Sequence, residues 1–354
     1  AVNNGADAVY LGGTNYSARQ SAQNFNDDEL KQAVEYAHLR SRKVYVTVNT
    51  LIDHEEFPAV LDYIYRIGEI GADAIIIQDV GLLKAARQVF PELRWHASTQ
   101  MTINNADAAA FMGEQGIKRV VLARELSLPE IRAVSELAGD AVELEMFVHG
   151  ALCYSYSGQC LMSSLVGGRS GNRGRCAQPC RLPYSLISGE GKPLSLGGRI
   201  GKYLLSPADL CLIEYLPDIK AAGVTSLKIE GRMKRPEYVA VVTRTYREVL
   251  DALRENPDYV PGLEFKERLL KIFNRNFSTG YFIHSGQSFL STNRPNNRGF
   301  YVGRVTGQNG RTTKIKLSDR VRRGDGLVIW VAKGRSPAVV INRMKVNGVD
   351  STVA

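Results

Sequence analysis

The chain has 354 residues, with 45 Lys or Arg against 36 Asp or Glu, and a formal net charge of +9. Its 44% hydrophobic content is ordinary for a globular protein. The sequence contains no apolar run long enough to cross a bilayer, and no signal peptide is found in it. Five cysteines are too few for a disulfide scaffold, so we expect a cytoplasmic protein. The positive charge favours a polyanionic partner without proving one.

The sequence does not begin with Met but inside AVNNGADAVYLGG, a pattern typical of a helix end that runs into a strand. We therefore interpret the chain as a fragment, trimmed at the front and, we expect, at the back.

A local pattern of a glycine followed by a short apolar run occurs at Gly5, Gly71, Gly116 and Gly223. Glycine suits the left-handed position just after a helix, and continuous apolar runs are typical of buried parallel strands. In chain order, seven strands are predicted near residues 9, 46, 76, 96, 121, 145 and 228. The helices between and after them are predicted near residues 27–40, 55–70, 80–90, 104–115, 129–138 and 236–254. With one more strand from the trimmed front, this alternation predicts an α/β protein with a (β/α)8 TIM-like barrel over residues 1–255. An open doubly wound sheet is the alternative.

The pattern changes after about Asn256. Residues 256–290 are interpreted as a linker, and residues 291–354 as a small β-barrel-like domain, truncated in this fragment. Its strands are predicted near residues 301–305, 313–317, 326–331 and 338–345. From Arg294 to Arg323 there are nine Lys or Arg against one acid, Asp319. This stretch is either a solvated basic face or a nucleic-acid contact.

A cysteine-rich insertion over residues 150–205 interrupts the barrel pattern. Four cysteines occur within 28 residues, spaced Cys-x6-Cys-x15-Cys-x3-Cys: Cys153, Cys160, Cys176 and Cys180. Structural zinc sites usually contain tight CxxC pairs, which are absent here, whereas an iron–sulfur cluster tolerates irregular spacing. The spacing favours a metal or cluster site, and buried or redox-active thiols stay open as the alternative. Between the second and fourth cysteine lie Arg169, Arg173 and Arg175, with no acid among them.

Active sites of βα barrels lie at the carboxyl ends of the strands. Polar or glycine residues occupy nearly every predicted strand end: Gly12, Gly13, Asn49, Asp79, Gln100, Arg124, His149, Glu230 and Arg232. Each one alone is more often a structural residue. Together they predict an active site on one rim, which the insertion joins because it leaves the strand that ends at Val148.

Several segments resemble the signature of peptidase family U32, the collagenase-like proteases. They are EMFVHGALC from Glu145, YSGQCLMS from Tyr156, GNRGRCAQPCR from Gly171 and SLKIEGR from Ser226. The resemblance covers most of residues 1–255 and is closest to the branch that acts on a cytidine of 23S ribosomal RNA.

Despite the family name, several members resemble oxygen-independent hydroxylation proteins that carry a 4Fe–4S cluster. They act on tRNA wobble uridine, on a cytidine of 23S ribosomal RNA or on ubiquinone precursors. The resemblance therefore implies an RNA-modifying hydroxylase with ribosomal or transfer RNA as partner and a 4Fe–4S cluster as cofactor. Prephenate is implied as a cosubstrate, and a further protein partner is left open.

The resemblance also assigns residues. The implied cluster ligands are Cys153, Cys160, Cys176 and Cys211, and Cys180 matches an alternative ligand of some relatives. The catalytic candidates are Glu145, His149 and Glu230. The candidates for binding substrate are Asn49, Gln100, Arg169, Arg173, Arg175 and Arg232. Glu145 has a second interpretation, as a buried strand residue paired with an arginine.

Two other functions stay open. A peptidase needs a catalytic device, but the sequence contains no HExxH motif, and no nucleophile–base pair can be located in it. A non-catalytic scaffold that carries a cluster and delivers substrate or sulfur to a partner would have a similar sequence.

Overall fold

The computed structural model describes residues 1–195, 200–283, 288–310, 312–331 and 336–354. These residues form two compact units, Ala1–Asn297 and Arg298–Ala354. The first unit contains the predicted α/β architecture and the second contains small antiparallel sheets.

The first unit is built on seven parallel strands. Their order in the sheet follows the chain, β1-β2-β3-β4-β5-β6-β8. The strands of this unit are β1 Ala8–Gly12, β2 Lys43–Val48, β3 Ala74–Ile77, β4 Trp95–Ala97, β5 Ile117–Val121, β6 Glu143–Ala151, β7 Asp209–Cys211, β8 Ser226–Ile229 and β9 Phe277–Ser278. A doubly wound sheet reverses its strand order in the middle, whereas a barrel winds in one direction. The strand order therefore confirms the predicted TIM-like barrel over the open sheet.

Nine α-helices are present in the described residues of this unit. They are α1 Asp27–His38, α2 Phe57–Ile70, α3 Val80–Val89, α4 Ala106–Glu114, α5 Leu128–Ala138, α6 Met162–Gly167, α7 Leu216–Ala221, α8 Pro236–Glu255 and α9 Leu263–Ile272. All but α6, which lies in the segment between β6 and β7, accompany the sheet. Local sequence explains their starts: Asn26 and Glu29 form a capping box before α1, and proline stands in the first turn of α2, α5 and α8. Alternate strand residues, such as Val44, Val46 and Val48 of β2, are fully buried beneath the helices.

Strand β6 is longer than the others and serves two partners. Its first part pairs in parallel with β8, and its last three residues pair antiparallel with β7. The register with β8 shifts between Phe147 and His149. A bulge of this kind changes the face on which the following side chains lie, which decides the position of His149.

The edge strands β1 and β8 are joined by a side chain. The hydroxyl of Tyr10 on β1 donates to the Ile229 carbonyl of β8 at 3.4 Å and to Glu230 Oε2 at 3.0 Å. The Lys228 ammonium lies 4.5 Å from the centroid of the Tyr10 ring. These contacts bring the two ends of the sheet together around a common interior.

The segment interpreted as a linker, residues 256–290, contains α9 and β9. Phe265 and Leu269 of α9 are buried in the main core, and β9 pairs with β7. Because this segment packs on the barrel, the boundary between the compact units falls after Asn297 instead.

The second unit contains three antiparallel pairs: β10 Gly303–Asn309 with β11 Thr312–Leu317, β12 Gly326–Val328 with β13 Ala338–Val340, and β14 Met344–Val346 with β15 Val349–Ser351. They are two-stranded sheets, and no closed barrel forms among the residues that the structure describes. In those same residues, no helix has the length and apolar character needed to span a membrane.

Candidate active site at the barrel mouth

The segment from Leu152 to Leu182, here called the cysteine loop, lies against the carboxyl ends of the barrel strands. Near β1, Gln20 donates its backbone N–H to the Gly174 carbonyl at 3.1 Å. Near β4, the Gln159 amide donates to the Gln100 carbonyl. After β5, Glu125 accepts from the backbone N–H of Ser157 at 2.7 Å and from its hydroxyl at 2.5 Å.

The contact with the β1 end is close enough to require glycine. Gly174 has φ +76°, and a Cβ built there would lie 2.1 Å from the Ser17 carbonyl oxygen. On the β2 side, the Arg173 guanidinium donates to Glu56 and to the Leu51 carbonyl at 2.6 Å. The loop is thus fixed to the ends of four strands, so the barrel mouth and the cysteine loop form one site.

Four cysteines of this loop are neighbours. Gly171 is flanked by Cys160 and Cys176, since a Cβ built on it would lie 3.5 Å from the Cys160 carbonyl oxygen and 3.7 Å from Cys176 Cβ. Burial raises the pKa of the Cys180 thiol; Arg181 opposes this, while Cys153, Cys176 and Cys160 raise the pKa further. The thiol of Cys180 therefore lies within electrostatic reach of the other three.

Cys211 is outside the cysteine loop, on the strand that pairs with the end of β6. It belongs to β7, is buried in the main core, and contacts Tyr246 of α8. Burial raises its pKa to about 11, and the charged groups that act on it are Lys266 and Glu214. Cys153, Cys160 and Cys176 act on Cys180, the alternative ligand, whereas the groups that act on Cys211 include no other cysteine of the described residues. The choice between Cys180 and Cys211 as the fourth ligand stays a prediction.

The four thiols of the cysteine loop fit an iron–sulfur cluster in number and type, since such clusters are held by four cysteine thiolates. The backbone N–H of Gln178 donates to Cys176 Sγ at 3.3 Å, and hydrogen bonds to sulfur are one way in which proteins tune such clusters. In the described residues, no three His, Cys, Asp or Glu side chains converge closely enough to hold a single metal ion. Ligands of a cube bind separate irons and need not converge on one point.

The three arginines of the cysteine loop that were predicted to bind substrate differ in their surroundings. Arg173 is committed to its ion pair with Glu56, whose pKa it lowers. Arg175 is exposed, and Arg169 is exposed with its Nε donating to the Arg175 carbonyl at 3.1 Å. Arg169 and Arg175 are accessible to a ligand, whereas Arg173 fixes the loop.

The floor of the mouth is a network of polar side chains from several strands. Arg232, after β8, donates through one nitrogen to Ser17 Oγ at 3.1 Å and to Thr47 Oγ1 at 3.3 Å. Asn49, after β2, donates to Gln100 Oε1 at 3.1 Å and accepts from the Ala18 backbone at 3.0 Å. The structure therefore brings the predicted residues Asn49, Gln100 and Arg232 to the same mouth.

Glu230 is at the mouth beside Arg232. Burial by itself raises its pKa, but Arg19, Arg232 and a hydrogen bond from Tyr10 outweigh burial and hold the pKa at about 2. Glu230 is therefore a carboxylate at neutral pH, suited to accept hydrogen bonds and not to donate a proton.

Glu145 lies deeper, in the barrel interior. It accepts from the Lys228 ammonium and from the Ser226 hydroxyl, each at 2.7 Å, and Arg119 lies 3.4 Å away. Burial opposes ionisation, but Lys228, Ser226 and Arg119 hold its pKa at about 2. This geometry agrees with the second interpretation of Glu145, as a buried strand residue close to an arginine.

His149 is also not at the mouth. After the bulge in β6, its ring packs on Tyr238 and Tyr246 of α8 and on Phe277 of β9. It is 1% exposed, and burial, with a smaller effect of Lys234, lowers its pKa to about 3. His149 is a neutral core residue in the helix layer, so it does not form an acid–base pair with Glu145.

Three side chains at strand ends contain buried polar atoms without a hydrogen-bond partner among the described residues: Gln78 Oε1, Arg124 Nε and Arg232 Nε. Gln78 is only 5% exposed and continues the alternation of β3 on the same face as Ile76, which lines the interior. Asn49 donates to Ser98 Oγ at 3.4 Å across the end of β3. Unpaired buried polar groups are costly in a scaffold and common where a ligand binds.

Sequence reasoning did not select Gln78, because a lone glutamine after an apolar strand carries no motif. It also did not select Lys234, which follows Arg232 and lies 2.9 Å from the Phe273 ring centroid. Burial and the nearby Arg275 lower the pKa of Lys234 to about 7, against the opposing effect of Asp209. The rule that strand ends form the site, applied to every strand, would have found Gln78.

The fold and this site define a βα-barrel protein with a cysteine loop over its mouth. The model of peptidase family U32 matches residues 1–290, and the chain belongs to this family. It is 41% identical over 285 residues to a tRNA hydroxylation protein of Bacillus subtilis, covering 80% of this chain and 67% of that protein. It is 35% identical over 365 residues to an uncharacterized protease of Methanocaldococcus jannaschii, covering 100% and 89%. It is 37% identical over 347 residues to a 23S rRNA 5-hydroxycytidine synthase of Escherichia coli, covering 94% of this chain but 50% of that protein.

Proposed function

We propose that this protein is an enzyme that hydroxylates a pyrimidine base of ribosomal or transfer RNA with the help of a 4Fe–4S cluster. The observation that carries the proposal is the anchoring of the cysteine loop to the ends of four barrel strands. It brings a set of four thiols to a mouth that contains unpaired buried polar atoms. The names of two relatives, a tRNA hydroxylation protein and an rRNA hydroxycytidine synthase, support the same reaction class.

Hydroxylation of a ring carbon is an oxidation, and side chains alone do not supply redox chemistry. A bound cluster would supply electron transfer at the mouth. We propose Cys153, Cys160, Cys176 and Cys180 as its ligands, because Cys180 shares the environment of the other three while Cys211 is in the core.

The residues of the mouth would bind and orient the base. A base must leave its stack to enter such a site, and Tyr154 and Tyr156 of the cysteine loop are exposed and able to stack on it. Gln78 and Arg124 have unpaired atoms to bind the polar edge of the base. Glu230, held as a carboxylate, accepts from Tyr10 and keeps Arg232 in position.

Prephenate remains a proposed cosubstrate. It carries carboxylates, and Arg124 and Arg232 are cations of the mouth with an unpaired Nε each. Arginine binds carboxylates through paired N–H groups, so either side chain is suited to this contact.

A peptidase is the second function that the sequence left open, and one relative is named a protease. Two of the catalytic candidates from the sequence are otherwise engaged. Glu145 is paired with Lys228, and His149 is buried under α8. No contact in the described site favours proteolysis over hydroxylation.

The proposal is tested by anaerobic purification with iron and acid-labile sulfide assays on the wild type and on three variants. We expect about four irons and four sulfides per chain, lost in Cys153→Ser and Cys180→Ser and retained in Cys211→Ser. Thermal unfolding of each variant controls for folding. Absence of iron and sulfide in the anaerobic wild type, with the fold intact, would refute the cluster.

Activity is measured by nucleoside mass spectrometry of RNA from a strain that lacks the gene, after incubation with the purified protein. A new hydroxylated pyrimidine supports an enzyme. A loaded protein that modifies RNA only when cell extract is added would instead be a scaffold that needs a partner.

A further inference from the structure

The net positive charge of this chain comes from one of its two units. Residues 298–354 contain twelve Lys or Arg and three Asp, which equals the whole formal net charge of +9. Residues 1–297 contain 33 basic and 33 acidic residues and have no net charge. The family model matches residues 1–290, so the basic unit follows the residues that this model matches.

The hairpin β10–β11 has two chemically different faces. Val305 pairs with Ile315 on one face. On the other face, Arg304 lies directly opposite Lys316, and Lys314 is two residues away along the same strand. We call this face the cationic face. Like charges directly opposite each other destabilise a sheet, so the hairpin is less stable when no anion is bound to this face.

The geometry of the cationic face suits a chain of phosphates. Alternate residues of a strand lie on one face about 6.8 Å apart, and Arg304, Lys314 and Lys316 are all exposed. The same unit also exposes two aromatic side chains, Tyr301 and Trp330, at 69% and 56%. Cationic tracks beside exposed aromatic rings are typical of proteins that bind single-stranded nucleic acid.

We propose that residues 298–354 form an RNA-binding module whose cationic face, Arg304, Lys314 and Lys316, contacts the phosphates of single-stranded RNA. The neutral barrel then supplies the chemistry, and the basic unit supplies much of the affinity. This inference rests on the proposed function in one respect, namely that RNA is the substrate of the barrel.

The test uses the full chain and a fluorescent single-stranded RNA of mixed sequence, with binding followed by anisotropy over a series of KCl concentrations. The test variant is Arg304→Gln/Lys314→Gln/Lys316→Gln. The matched control is Lys31→Gln/Lys84→Gln/Lys118→Gln, which removes the same charge from exposed positions of the barrel. Circular dichroism establishes that both variants are folded.

Each phosphate contact contributes about 0.7 to the slope of log affinity against log salt for single strands. Loss of three contacts is expected to reduce the slope by about 2 and the affinity at low salt by roughly 10-fold or more. The control variant is expected to change affinity by less than about twofold, since unfocused surface charge acts only weakly at a distance.

Equal losses in the two variants would show that only bulk charge matters and would overturn the proposal. An unchanged slope in the test variant would also overturn it. Cosedimentation with phosphatidylglycerol vesicles provides a third arm: binding to vesicles that depends on the cationic face, without binding to RNA, would assign this face to a membrane surface instead.

Activity measurements separate this inference from the proposed function. If both hold, the test variant has a raised KM for RNA and an unchanged kcat, because the mouth is untouched. If wild-type protein binds RNA through the cationic face but never hydroxylates it, the proposed function fails and the module stands. If hydroxylation occurs with an unchanged KM in the test variant, the RNA-binding module is refuted and the proposed function stands.

Discussion

The interior of the barrel and its mouth both contain buried polar side chains, but these side chains differ in how completely they are hydrogen-bonded. In the interior, Glu145 is satisfied by Lys228 and Ser226 and lies near Arg119. At the mouth, Gln78, Arg124 and Arg232 each keep a buried polar atom without a partner in the described residues. The Glu145 network is complete in itself, whereas these side chains of the mouth keep hydrogen-bonding capacity that is open to a ligand.

This difference teaches how to separate stability from function in one fold. Removing one partner from a fully paired buried network leaves an unpaired charge in the protein interior, which lowers the free energy of unfolding. Changing an atom that already lacks a partner removes no internal bond, so its cost falls on binding. Substitutions in the interior should therefore lower stability, and substitutions at the mouth should lower binding with little change in stability.

The largest expected effect is on the interior pair. Glu145→Gln leaves the buried Lys228 ammonium without its counter-ion and should lower the free energy of unfolding by about 3–5 kcal/mol, measured by urea denaturation. The matched control is Glu143→Gln, two residues earlier, whose partly exposed pair with Arg119 is worth about 1 kcal/mol or less. Equal effects of the two substitutions would contradict the assignment of Glu145 to the core network.

The next largest effect is expected at low pH, which should lower the free energy of unfolding. The pKa values of His96 and His149 are lowered to about 3, chiefly by burial. Below the unfolded value of about 6.5, the unfolded state binds protons that the folded state does not. Stability should therefore fall as the pH drops from about 6.5 towards 3, and the pKa of Glu145, about 2, extends the loss below 4.5.

Calorimetry between pH 7 and 4 checks this expectation. His149→Phe should reduce the slope of stability against pH in that window, because one buried neutral imidazole is removed. An unchanged slope would mean that His149 is protonated in the folded protein.

A substitution of Arg232 tests the same comparison at the mouth. Arg232→Lys keeps the charge but loses the fixed guanidinium that spans Ser17 and Thr47. We expect hydroxylation to fall by about 10-fold or more with cluster content unchanged, equivalent to about 1.4 kcal/mol in the transition state. Arg235→Lys, an exposed neighbour, is the control and should retain activity. Normal activity in Arg232→Lys would remove this side chain from the site.

The smallest expected change in stability is at Gln78. Gln78→Leu replaces an amide whose oxygen is unpaired by an apolar group of similar size, so the free energy of unfolding should change by no more than about 1 kcal/mol. Hydroxylation should nevertheless decrease, because the base loses a hydrogen-bond partner. A loss of stability of about 3 kcal/mol, as at Glu145, would show that Gln78 belongs to the finished interior network.

The comparison also indicates where sequence reasoning succeeds and where it stops. The order of strands and helices was predictable, because glycine caps and continuous apolar runs are local signals. The gathering of Asn49, Gln100 and Arg232 at one rim was also predictable, since all parallel strands end on the same side. The environment of Glu145 matches the second interpretation that the sequence allowed. The environment of His149 was not predictable, because the bulge in β6 after Phe147 changes the face that His149 occupies.

The sequence by itself determined the barrel class, the family and the presence of a basic stretch in the C-terminal part of the chain. These properties follow from local patterns and from counts of charge, which need no knowledge of contacts. Only the tertiary structure decided that Cys211 and His149 are buried in the core. Distances between residues far apart in the chain depend on packing, and packing sets both the burial and the neighbours that give a side chain its chemistry.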